Sequence, residues 1–297
     1  MSDASWLWAL FTVIAAASQT ARNATQRELT ATLGTAGATH VRFLFGFPFA
    51  VVFLALVMAA SGADLPRPGA VYWPWVLQGT LAQIAATALM LAAMNDRSFV
   101  VIYAYIKTEP VQAALFGLVF LGDAVTLPMA AAILIATTGV VIMALKPGTS
   151  LDSRATLLGV AAGGMFALSA VGFRGAILSL GSPSYLMAAT FTVAVGLAIQ
   201  SALLTLYLWL RDPKVLTAIF RAWQPSLAAG FLGALASQFW FLAFALASAA
   251  SVRTLALVEV LFAQAISRFL FRQATTAREA LGIVLIVAGV ALLMWVY

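Results

Sequence analysis

The chain has 297 residues, of which 63% are hydrophobic and only 9% charged, far below the quarter or so that covers a soluble surface. It has no cysteine and one histidine, His40, which excludes disulfides, thiolate metal sites, cysteine nucleophiles and histidine-rich metal or haem centres. The net charge of +6 comes from Lys and Arg placed between apolar runs, where they act as topology signals and imply no nucleic-acid partner.

The apolar runs cover 6–22, 40–60, 74–94, 98–121, 127–145, 156–177, 184–210, 225–247, 250–271 and 279–296. Each is close to the roughly twenty residues a helix needs to cross roughly 30 Å of hydrocarbon. The short alternating patterns of a membrane β-barrel are missing. The pattern predicts an all-α integral membrane protein with ten transmembrane helices in the lipid bilayer. Met1 to Ser5 carry no Lys or Arg, so the first run is expected to be a spanning helix from Trp6 and not a cleaved signal. The breaks carry turn residues or charge, as at Asn95-Asp96-Arg97, Lys146-Pro147-Gly148, Arg211-Asp212-Pro213-Lys214 and Arg272-Gln273-Ala274-Thr275-Thr276.

The sequence repeats itself. Residues 77–147, shifted by 150, lie on 227–297 without a gap, and Ser98 falls on Ser248, Glu109 on Glu259, Thr126 on Thr276 and Gly139 on Gly289. A shift of 152 places Arg22 on Arg174 and Ala15 on Ala167. The chain therefore divides into repeats at 1–147 and 154–297, each of five helices. An odd number forces the second copy into the membrane in the opposite sense, the inverted repeat common in secondary transporters. Lys and Arg crowd the odd-numbered loops, at Arg22, Arg27, Arg97, Lys146, Arg154, Arg211, Lys214, Arg221, Arg272 and Arg278. That bias places the odd loops in the cytoplasm and both termini outside.

Thr108-Glu109-Pro110-Val111-Gln112-Ala113-Ala114-Leu115-Phe116-Gly117-Leu118-Val119-Phe120-Leu121-Gly122-Asp123 resembles the fourth-helix signature of the EamA family, in the drug/metabolite transporter superfamily. Its second copy begins Val258-Glu259-Val260-Leu261-Phe262 and runs to Gly282 and Gly289, with Arg272-Gln273 where the first copy has Gly122-Asp123. The resemblance spans nearly the whole chain. It implies a 5+5 transporter in the cell's inner (plasma) membrane, and the family includes exporters of amino acids and other metabolites. Many members are expected to keep both termini in the cytoplasm, opposite to the charge bias here.

Ionisable side chains in hydrocarbon are costly and face a bundle interior or a wet cavity. Arg42, Lys107, Glu109, Arg174, Arg253 and Glu259 all fall inside runs. On one continuous helix Lys107 and Glu109 stand about 200° apart and cannot pair, whereas Glu109 shares a face with Tyr105 and Gln112. Each glutamate then either binds a substrate ammonium or a coupled proton, or forms a structural ion pair with Arg42 or Lys107. Pro110 predicts a kink in the fourth helix. Gln19, Gln83 and Gln238 are polar residues suited to line a cavity or to bridge helices. Trp6, Trp8, Trp73, Trp75, Trp223 and Trp295 stand near helix ends as an interfacial belt, and Trp240 lies deeper. Gly159, Gly163 and Gly164 predict close helix packing. His40 reads as structural.

These residues predict a central cavity for a small-molecule substrate, lined by Glu109, Tyr105, Gln112, Gln83, Gln238, Trp240, Lys107 and Gln19. The fold would be a secondary transporter of amino acids or, alternatively, of drugs or other metabolites. No catalytic cluster, metal site, cofactor motif or nucleotide-binding loop is apparent, so neither an enzyme nor an ATP-driven pump is expected. The topology is directly testable: a C-terminal reporter active only in the cytoplasm is expected to stay silent, and a bright signal reverses the orientation.

Overall fold

The computed structural model describes residues 6–94, 99–144, 153–269 and 276–297. Met1 to Ser5 and the expected breaks at 95–97, 146–148 and 272–275 lie outside them. Among the described residues every regular element is helical: α1 (Leu7–Leu44), α2 (Gly46–Ser61), α3 (Tyr72–Met94), α4 (Phe99–Ile106), α5 (Glu109–Phe116), α6 (Leu127–Ala144), α7 (Ser153–Ser179), α8 (Tyr185–Arg211), α9 (Pro213–Arg221), α10 (Trp223–Leu246), α11 (Ala249–Leu255), α12 (Val258–Phe269) and α13 (Ala277–Val296). A π-helical turn, Gly117–Leu121, extends α5. Among these residues seven helical stretches are long and apolar enough to cross a membrane, so the protein is built as a membrane protein.

The helices depart from the apolar runs in places that matter. The loop expected between the first two runs is helix, because Ala24-Thr25-Gln26-Arg27-Glu28-Leu29 has no proline or glycine to stop it. Helical geometry is interrupted only at Gly34, whose φ of 67° is open to glycine and strained for other residues. The break after Arg211 holds the amphipathic α9, with Pro213 in the first turn, where its missing N–H is harmless. Ile219 of α9 is buried with Leu29, Leu33, Val41 and Leu208, while Lys214, Thr217 and Arg221 remain exposed. The fourth and ninth runs are each broken in two, as α4/α5 and α11/α12. Among the tryptophans expected in an interfacial belt, Trp6, Trp73, Trp223 and Trp295 are exposed, but Trp8 is buried.

The chain packs into two compact units, each drawing on both halves of the sequence. One comprises residues 1–80 and 172–246. In it α1 lies along α10, and α8 packs against α2 and α10. Phe173 sits with its ring 4.5 Å from that of Phe241, and Gly79 lets the α3 backbone close on it. The other unit comprises residues 81–171 and 247–297. There α6 and α13 cross with their backbones touching. A Cβ on Gly139 would stand 2.7 Å from the Gly282 carbonyl oxygen, and one on Gly289 would stand 2.6 Å from the Ala136 nitrogen. Later residues of α13 meet earlier residues of α6, so the pair is antiparallel. Small residues at such crossings let dispersion contacts replace the hydrophobic effect, which is weak between helices in lipid.

This crossing predicts that Gly139→Val costs about 1–3 kcal/mol through overpacking and lowers the melting temperature in detergent. Gly69→Ala, with nothing within 4 Å of the added methyl, is the control and should melt like the wild type. Equal melting of both variants would mean that α6 and α13 re-space freely.

Candidate functional site

The charged residues of the second unit meet at the two helix breaks. α4 ends at Ile106, and the turn through Lys107 and Thr108 is closed by the Thr108 amide and hydroxyl, which both donate to the Tyr105 carbonyl, at 3.2 and 2.7 Å. Pro110 then stands in the first turn of α5, so the expected kink is a full break with the proline where a helix tolerates it. α11 starts on a Ser248 cap and stops at Leu255. The next helix opens with Glu259 in its first turn. Both glutamates thus sit at half-helix N-termini, where the helix dipole favours a carboxylate.

The pairing across these breaks is crossed. Glu259 accepts a hydrogen bond from the Tyr103 hydroxyl at 2.6 Å and forms an ion pair with Lys107. The Lys107 ammonium also lies 4.8 Å from the centre of the Tyr103 ring, a cation–π contact. Glu109 pairs with Arg253, with Oε1 2.9 Å from Nε. Lys107, Glu109 and Glu259 are 7%, 6% and 5% exposed, so bulk water screens neither pair. Two cations balance two carboxylates. The pairs are not equivalent, however. Glu259 is held by two partners, whereas Glu109 Oε1 is close to Arg253 without accepting an aligned hydrogen bond.

The other expected site residues of this unit go elsewhere. The helix-face reasoning assumed one continuous helix, and the break separates Glu109 from its expected companions. Tyr105 packs on Gly159 of α7. Gln112 donates to the Thr108 hydroxyl at 3.0 Å and to the Val160 carbonyl at 3.2 Å, beside Gly163 and Gly164. The three glycines are therefore the groove that receives α4 and α5. Gln83 is half-buried on α3, and its carbonyl accepts from Thr87.

The first unit holds the remaining expected residues. The Trp240 indole donates to Gln19 Oε1 at 3.3 Å, joining α10 to α1. Gln238 Nε2 donates to the Thr190 hydroxyl at 2.7 Å, while its Oε1 is buried and accepts from none of the described residues. Arg174 Nη1 donates to the Phe244 carbonyl at 2.6 Å, near the C-terminus of α10, a capping position that a cation favours. His40 shares a 2.9 Å hydrogen bond with Thr205, in keeping with a structural role. Arg42, which sequence reasoning weighed only as an ion-pair partner for a glutamate, has none among the described residues. Its guanidinium lies 4.3 Å from the centre of the Phe43 ring, and its Nε and Nη2 are buried without an acceptor.

No protein-family model matches the chain, and no curated protein matches it. Solved structures do match its fold. One, described only as the crystal structure of a protein, superposes with a TM-score of 0.72 over 100% of this chain and 99% of the other, at 17% sequence identity.

The unequal pairs predict unequal mutants. Glu259→Gln strands the Lys107 ammonium and is expected to cost about 3–5 kcal/mol, seen as a large loss of detergent-stable protein. Glu109→Gln keeps the side-chain shape, breaks only the less aligned contact, and should lose markedly less. The double variant Lys107→Leu, Glu259→Leu should regain most of the stability, because an apolar pair carries no desolvation cost. Identical melting of the two single glutamine variants would contradict this ordering.

Proposed function

We propose that the chain is a secondary transporter of the EamA type, an exporter of small metabolites with amino acids, aromatic ones included, as its substrates. It works by alternating access around a central cavity. The observation that carries this reading is the meeting of two discontinuous helices at a buried, charge-compensated cluster in an all-helical, membrane-type fold. Transporters build substrate and ion sites at such interruptions, where free backbone groups and half-helix dipoles are available. Ionisable groups buried in a membrane protein are retained for function far more often than for stability.

Two further observations support the inverted ten-helix arrangement. Beside the seven long apolar stretches, the first part of α1 and the broken pairs α4/α5 and α11/α12 supply three more crossings. The contacts are also reciprocal. Under the shift of 150 that superposes Glu109 on Glu259, Tyr103 falls on Arg253, and Tyr103 touches Glu259 while Arg253 touches Glu109. A pseudo-two-fold axis produces that exchange, as in isologous contacts between identical subunits.

Within this reading Glu109 is the group that meets a substrate ammonium or a coupled proton, and Glu259 with Lys107 and Tyr103 holds the breaks together. The test is uptake of radiolabelled amino acids into liposomes that hold the purified protein. Saturable accumulation above empty liposomes, reduced at least tenfold in Glu109→Gln with the protein still folded, is the expected result. No accumulation of any amino acid in either orientation would remove amino acids as substrates. Full activity of Glu109→Gln would remove Glu109 from the mechanism.

A further inference from the structure

We propose that Arg42, with Arg22 beside it, forms an oxyanion site in the first unit that takes the carboxylate of a small organic acid. Reading that acid as the cargo rests on the transporter proposal; the site itself does not. Arg42 stands on the second part of α1, within the apolar stretch Thr32–Ser61. Its Nε and Nη2 are buried with no acceptor, and among the described residues no carboxylate pairs with it. The ring of Phe43 covers one face of the guanidinium and offers no hydrogen-bond acceptor in its plane.

A second guanidinium makes the site. Gly233 of α10 faces both arginines: a Cβ there would lie 3.4 Å from Arg42 Cβ and 3.6 Å from Arg22 Cδ. Both side chains therefore leave the backbone on the same side of α10, and like charges that share a poorly screened region repel one another. In the second unit each buried cation is answered by a glutamate. Here no carboxylate among the described residues answers Arg42, and a bound anion supplies the counter-charge. The planar guanidinium fork matches a carboxylate through two parallel N–H···O bonds, a geometry a lysine does not offer. A methyl on Gly233 would stand in van der Waals contact with both side chains and crowd them from α10.

The experiment uses the purified full chain in an uncharged detergent at low salt, with melting temperature read against increasing benzoate or L-phenylalanine. Both are expected to stabilise the wild type saturably, whereas L-phenylalaninamide, which lacks the carboxylate, is expected to do nothing. Arg42→Gln and Gly233→Ala should each weaken the apparent affinity at least tenfold, with Arg42→Lys intermediate. Gly233→Ala also answers the question if Arg42→Gln does not fold, because alanine is a better helix former than glycine. Stabilisation by inorganic phosphate alone, by the amide as strongly as by the acid, or by no probe overturns the site. So does a wild-type response in Gly233→Ala. Carboxylate binding without liposome transport would sink the transporter reading and leave the site standing. Transport indifferent to Arg42 and Gly233 would separate the site from the cargo and leave the transporter reading standing.

Discussion

Lys107, Glu109, Arg253 and Glu259 are held in an interior whose neighbouring clusters are built from Ala, Ile, Leu, Val and Tyr. Any one of them alone would carry a desolvation cost of several kcal/mol there, so each must find its counter-charge. On their own helices they cannot. Lys107 and Glu109 are too close in sequence and face apart, and so are Arg253 and Glu259. The pairs can form only across helices, and only if the chain turns between the cation and the acid on each segment. Both segments break at that point, after Ile106 and after Leu255.

The breaks have a second consequence. Interrupting a helix creates a new N-terminus at the start of the second half, with partial positive charge from the helix dipole. Glu109 and Glu259 occupy those starts, so each carboxylate answers a helix terminus as well as a side-chain cation. A broken helix also loses rigidity, and the glycine groove of α7 restores it. Tyr105, Ile106 and Gln112 from both sides of the first break pack against Gly159, Gly163 and Gly164. Gln112 ties the start of α5 to the α7 backbone through the Val160 carbonyl. The result is a hinge-like irregularity held by specific contacts.

The all-helical membrane architecture was legible in the sequence because its signal is composition and run length, which tertiary context rarely overrides. The packing role of Gly159, Gly163 and Gly164 was legible from their spacing within an apolar run, whereas Gly139, Gly282 and Gly289 stood out only as positions of the repeat and the motif. Pro110 marked the first break. Nothing comparable marks the second: Leu255-Ala256-Leu257-Val258 holds neither proline nor glycine, and the turn there goes with ion pairs to residues far away in sequence. Partner choice failed for the same cause. The face shared by Tyr105, Glu109 and Gln112 exists on a continuous helix and vanishes when the helix turns. The helix through 23–33 was hidden by its charges, which resemble those of a loop although its residues favour helix.

The two units also differ in how their buried charge is settled, and this bears on function more than either cluster alone. In the second unit cations and carboxylates match one to one, and Glu259 is additionally fixed by Tyr103. A closed set of this kind has little left to offer a ligand except at Glu109, whose contact is the less aligned. In the first unit Arg174 is absorbed by the Phe244 carbonyl, but among the described residues none accepts from the buried Nε and Nη2 of Arg42. An anion beside the Arg42 guanidinium would offset the cost of burying that charge, which a neutral solute would not.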